Sequence, residues 1–139
     1  MQTRVRKFAH VLERTGLAMA GAASGVFVAA HTGSTISALT SQAFLLAMMV
    51  GGAIGFYLGI DTPQLVFNGE RGKSSTRIDA AELLSAVGTF CAALTAFASV
   101  GVIVLREEPH IVWTVLMLIG WVLGISMQIV AGTIARLRN

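Results

Sequence analysis

Charge is scarce in this chain: Asp, Glu, Lys and Arg make up 12% of 139 residues, against roughly 25% in an ordinary soluble domain. At half the usual level, a soluble protein of this size has too little charge to cover its surface. Cysteine is nearly missing as well. Cys91 stands alone, which excludes a disulfide scaffold. Disorder is excluded from the opposite side, because 55% of the residues are hydrophobic and mean hydropathy is +0.75, whereas disordered chains are poor in apolar residues. An integral membrane protein remains, with lipid solvating much of its surface.

The few charges divide the chain. Residues 15–60, 83–105 and 109–135 carry none, over 46, 23 and 27 positions. A spanning helix needs ~20 mostly apolar residues to cross ~30 Å of hydrocarbon. The second and third stretches hold one span each, and the first is long enough for two. The polar run His31-Thr32-Gly33-Ser34-Thr35-Ile36-Ser37 marks the turn between them, since Ser and Thr hydroxyls compete for their own backbone. The predicted fold is therefore all-α, an integral membrane bundle of four transmembrane helices near 15–32, 42–60, 80–105 and 111–135. The apolar runs are continuous, whereas a membrane barrel requires alternation.

Residues 1–14 precede the first span. Val5, Phe8, Ala9 and Leu12 recur at helical spacing among Arg4, Arg6, Lys7, His10 and Arg14. This pattern predicts a short amphipathic interfacial helix, attracted to anionic lipid and anchoring the chain's orientation. A basic start followed by small residues ending in Val28-Ala29-Ala30 also has the outline of a secretory signal peptide. It lacks the Leu-rich centre of one, so the helix is expected to be retained.

Orientation follows from Lys and Arg. With four spans, nine of the ten basic residues fall on one side: Arg4, Arg6, Lys7 and Arg14, then Arg71, Lys73 and Arg77, then Arg136 and Arg138. Only Arg106 falls opposite. Both termini and the 61–79 loop are expected in the cytoplasm, and the chain in a cell inner membrane. The pI near 9.8 is explained by these flanks, with no nucleic-acid partner. In the loop, Pro63 stops the second helix, Leu65, Val66 and Phe67 are apolar enough to dip into the interface, and Asp79 with Glu82 suits the N-terminus of the third helix. Gly72-Lys73-Ser74 ends like a phosphate loop, but the first glycine would fall at Phe67, and nucleotide binding is not expected.

The clearest motif concerns packing. Gly51, Gly55 and Gly59 recur every fourth residue in the second span, Gly21 and Gly25 pair in the first, and Gly120, Gly124 and Gln128 share a row in the fourth. The third offers Ser85, Thr89 and Ala93 on one row and Gly88, Ala92 and Ala96 on another. Lipid tails are as apolar as leucine, so small residues drive association by letting backbones approach. Packing within one bundle is the simpler use of these rows. The row of the second span is also suited to a second copy or a partner membrane subunit.

Reactive groups are few. No acid lies near the centre of a span, Asp61, Asp79 and Glu82 sitting at helix ends, which argues against coupled transport through a buried carboxylate. A lining of Ser85, Thr89, Thr95, Ser99, Ser126 and Gln128 is what a homo-oligomeric channel would use. Gln128 is expected in an interhelical hydrogen bond, and the Cys91 thiol is expected to be inert. His31, His110, Glu107 and Glu108 should share the outer face as weak metal candidates without ligand spacing. No metal or other cofactor is expected. Trp113 suits an interfacial belt; Trp121 and Tyr57 suit packing. No catalytic constellation is evident. The expectation is a non-enzymatic accessory or scaffolding subunit among membrane lipid, the alternative being a small homo-oligomeric channel or transporter.

Overall fold

The structure is a computed structural model that describes residues 2–59 and 80–137, with side chains described from Phe8 onward. The loop 61–79, its Gly72-Lys73-Ser74 triplet and the Asp79 cap lie outside the described residues, as does Arg138. The described residues form four α-helices: α1 (Gln2–Thr35), α2 (Gln42–Gly59), α3 (Ala80–Leu105) and α4 (Ile111–Leu137). A single 3-10 turn, Ser37–Leu39, joins α1 to α2.

α2, α3 and α4 are each long and apolar enough to cross a membrane, and their limits agree with the expected 42–60, 80–105 and 111–135 to within two residues. α1 differs from expectation at both ends. No break separates an interfacial helix from the first apolar stretch; residues 2–35 form one helix. Gly16, the one weak helix former at that junction, does not end a helix by itself. The turn also starts later than His31. Thr32 Oγ1 donates to Val28 O at 2.7 Å, and Ser34 and Thr35 donate to His31 O at 2.7 and 3.2 Å. These hydroxyls are satisfied on the helix's own carbonyls, so the helix runs on to Thr35 before Ile36 turns extended.

α1 packs chiefly on α2 and α3 on α4; α2 also meets α4 and α1 meets α3, whereas α2 and α3 barely touch. The helices thus form a square in the order α1, α2, α4, α3. Side-chain pairs set their directions. His31 and Ser24 of α1 reach Thr114 and Trp121 of α4, so these two run antiparallel. Gly51, Gly55 and Gly59 approach Trp121, Ile125 and Gln128 in ascending order, so α2 and α4 run parallel.

The buried positions keep a 3.5-residue period. Ala81, Ser85, Gly88, Ala92, Ala96 and Ser99 face inward on α3. Thr114, Trp121, Gln128 and Ala135 do so on α4 at every seventh residue. That period belongs to helices crossing at a shallow left-handed angle.

Glycine sets how close they come. A Cβ at Gly21 would strike the carbonyl of Gly52, and one at Gly25 the carbonyl of Met48, so α1 and α2 touch backbone to backbone. A Cβ at Gly88 would lie 2.6 Å from Gly124 O, and one at Gly132 2.5 Å from Leu58 O.

The interior is polar and the exterior apolar. The largest fully buried side chains are His31, Gln128, Val28, Thr32, Thr114 and Ser99. Phe97 is 79% exposed, Val104 71% and Phe90 66%. Water would favour the reverse distribution.

Candidate functional site

Polar side chains meet at three levels between the helices. At the level of the α3–α4 turn, His31 Nε2 and Thr114 Oγ1 are hydrogen-bonded at 3.2 Å. Midway, Trp121 Nε1 donates to Ser24 Oγ at 3.2 Å, and Ser24 donates to Gly21 O at 2.7 Å. At the third level Gln128 Nε2 donates to Thr89 Oγ1 at 2.9 Å, Thr89 donates to Ser85 O at 2.8 Å, and Ser85 Oγ to Gly59 O at 3.2 Å. Gln128 Oε1 is buried with no hydrogen-bond partner and faces α2, 3.1 Å from where a Gly55 Cβ would stand. Glycine there leaves the room that the amide occupies.

The expected glycine rows are therefore engaged within one chain. Gly21 and Gly25 meet α2, Gly55 meets Ile125 and Gln128, Gly59 meets Ser85, Gly120 meets Thr95, and Gly124 meets Gly88 and Ala92. Gly51 is in ordinary contact with Trp121 at 3.7 Å; its neighbour Gly52 makes the close approach to α1. On α3 the Gly88–Ala92–Ala96 row faces inward, while Thr89 and Ala93 are exposed.

The hydroxyls suited to a channel lining lie on different sides of their helices, Ser85 and Ser99 being buried and Thr89 and Ser126 exposed. Thr95 Oγ1 donates to Cys91 O at 2.9 Å, Ser99 Oγ to Thr95 O at 2.8 Å, and Ser126, on the exposed side of α4, to Val122 O at 2.7 Å. Cys91 is half-buried on α3.

Of the four weak metal candidates, His31, Glu107 and Glu108 line one recess, while His110 lies outside its lining. His31 is drawn inside the bundle, not held in a turn, while His110 stays exposed with Nδ1 accepting the Val112 N–H at 3.4 Å. Among the described residues, no three of His, Cys, Asp and Glu gather to hold a metal ion.

Two features had no clear signal in sequence. Arg14 and Arg136 place their guanidinium carbons 5.3 and 6.0 Å from the centroid of the Tyr57 ring, tying α1, α2 and α4 at one end of the bundle. At the other end an open recess of about 740 Å³ is lined by His31, Ser34, Thr35, Arg106, Glu107 and Glu108, with Ala30, Val102 and Ile103 on its apolar side. Arg106 stands at a left-handed φ of 54°. Its N–H reaches Ile103 O at 3.3 Å and the Glu107 N–H reaches Val102 O at 3.1 Å, the two bonds of a Schellman end, where glycine is usual. A sequence search for Gly or Asn at helix ends passes over such a site. Comparison of the chain with protein-family models, with curated proteins and with solved structures returns no match.

Proposed function

We propose that the chain is a four-span protein of a cell inner membrane, both termini cytoplasmic, serving as a non-enzymatic accessory or scaffolding subunit. α1 is the span whose composition argues least for itself, and its partners supply the support. Residues 24 and 31 pair with 121 and 114 of α4, so α1 occupies the same depth as a helix apolar enough to cross. From Ile111 to Arg136, α4 rises ~38 Å at 1.5 Å per residue, enough to set Arg14, Tyr57 and Arg136 in one headgroup layer and the α3–α4 turn in the other. The excess of basic residues then labels the Arg14 end as cytoplasmic.

The observation that carries the scaffolding role is how the polar groups are used. His31 with Thr114, Trp121 with Ser24, Gln128 with Thr89 and Ser85 with the Gly59 carbonyl bond across helices, locking the bundle's register. The outward face of α3 meanwhile presents a straight ridge. Leu83, Phe90, Phe97 and Val104 stand at every seventh position, each more than half exposed. A rigid core with a full-length apolar ridge suits docking against another membrane helix, for which aromatic side chains supply large contact area.

The test is purification in mild detergent with native mass measurement, beside the double variant Phe90→Ala/Phe97→Ala. A complex of fixed stoichiometry is expected, released by the double variant while the monomer stays helical. Ion or solute flux through liposomes holding this chain alone would refute the reading in favour of a homo-oligomeric channel. Labelling of single cysteines placed at residues 3, 70 and 108, with Cys91 replaced, checks orientation: only position 108 should react from outside.

A further inference from the structure

We propose that the recess at the α3–α4 turn binds a primary ammonium carried beside an anionic group, the chemistry of an aminophospholipid headgroup or of the same group free in water. Its acceptors outnumber its donors. The hydroxyl protons of Ser34 and Thr35 are already committed to His31 O, so these side chains offer only lone pairs. Glu107 and Glu108 add two carboxylates against the single guanidinium of Arg106. Among the described residues none of these three charged side chains forms an ion pair or hydrogen bond. His31, 2% exposed, lines the recess and is held through Nε2 by Thr114. An ammonium has three N–H donors and a positive charge for this acceptor set, and Arg106 has a fork of donors for the adjoining anion. A quaternary ammonium has no such donors.

Arg106 supports the same assignment independently. Its left-handed backbone favours glycine, and strain of this kind gathers at ligand sites. Its side chain is part of the recess lining. The apolar side of Ala30, Val102 and Ile103 continues toward the lipid-facing flank, where acyl chains can follow.

This inference does not depend on the accessory role; only its lipid arm requires that the bundle stand in a bilayer. The full chain in detergent is offered equal phosphatidylethanolamine, phosphatidylcholine and phosphatidylglycerol, and native mass spectrometry reads the bound lipid. Titration calorimetry with O-phosphoethanolamine reads the soluble source. Phosphatidylethanolamine is expected to be enriched about ten-fold, the worth of one charge-assisted hydrogen bond. Arg106→Gly, which keeps the helix end, and Glu107→Gln/Glu108→Gln should each abolish the enrichment. Binding of O-phosphoethanolamine without lipid enrichment, lost in the same variants, identifies a water-soluble ligand of the same chemistry. The inference is overturned if neither probe binds selectively, if phosphocholine binds equally well, or if selectivity survives both variants.

Discussion

Gly88 and Gly101 lie on the same helix, and the structure predicts opposite outcomes for replacing each by alanine. At Gly101 a Cβ meets nothing within 4 Å. Gly101→Ala therefore gains only the helical preference of alanine over glycine, about 0.5–1 kcal/mol. At Gly88 the new Cβ would lie 2.6 Å from Gly124 O, 2.9 Å from Met127 Cβ and 3.1 Å from Gln128 N. Two of these neighbours are backbone, so no rotamer change relieves the overlap. Ordinary contact begins near ~3.5 Å, so α3 and α4 must part by roughly 0.9 Å, and a gap of that size forfeits a quarter to a half of each dispersion contact it opens. Overpacking of this kind costs about 1–3 kcal/mol. After the propensity gain, Gly88→Ala should be destabilised by up to about 2 kcal/mol, and it should lie about 1–3 kcal/mol below Gly101→Ala, since the gain is common to both. Unfolding by SDS in mixed micelles, followed by far-UV circular dichroism, measures the difference. Equal midpoints for the two variants, or a loss confined to Gly101→Ala, would show that α3 and α4 do not meet at Gly88 and Gly124.

Gly55→Ile should abolish the folded monomer, since even its Cβ would stand 3.0 Å from Ile125 Cγ2 and 3.1 Å from Gln128 Oε1; a cost of about 3 kcal/mol or more is expected. A folded monomer that merely fails to assemble, as judged by size-exclusion chromatography with circular dichroism, would return Gly55 to a subunit interface. Gln128→Met should fall within about 1 kcal/mol of the parent or above it, because the lost bond to Thr89 is worth ~0.6 kcal/mol in a membrane helix, and removing the unpartnered Oε1 offsets it. A loss above ~2 kcal/mol in the same SDS titration would mean that this oxygen has a partner worth keeping. Arg106→Gly should raise stability by about 1 kcal/mol by relieving the left-handed backbone, so an unchanged or lowered midpoint would remove strain from the case for a ligand there.

The gross plan was legible because charge is costly in hydrocarbon, and the limits of α3 and α4 follow the charge-free stretches within a few residues. Polarity without charge misled at His31. Ser34 and Thr35 look like turn residues by composition, yet a hydroxyl bonded to the carbonyl three or four residues back satisfies itself inside a helix. The helix therefore continued and carried His31 into the bundle to meet Thr114. Glycine spacing misled by one residue for a geometric reason. Counting by four joins Gly51, Gly55 and Gly59, whereas shallow left-handed crossing selects positions alternately three and four apart. Met48, Gly52, Gly55 and Gly59 fit that alternation, and Gly52 makes the contact with α1. The same alternation was present in α4, where Thr114, Trp121, Gln128 and Ala135 repeat at seven. It is easily missed there, because in lipid the buried row is the less apolar one. A search for the most hydrophobic face selects the exposed residues, Leu116, Leu123, Val130 and Leu137 among them. In a chain of this kind the row to seek is small and polar at period 3.5; on α4 it leads to Thr114, Trp121 and Gln128, and on α1 to Ser24 and His31.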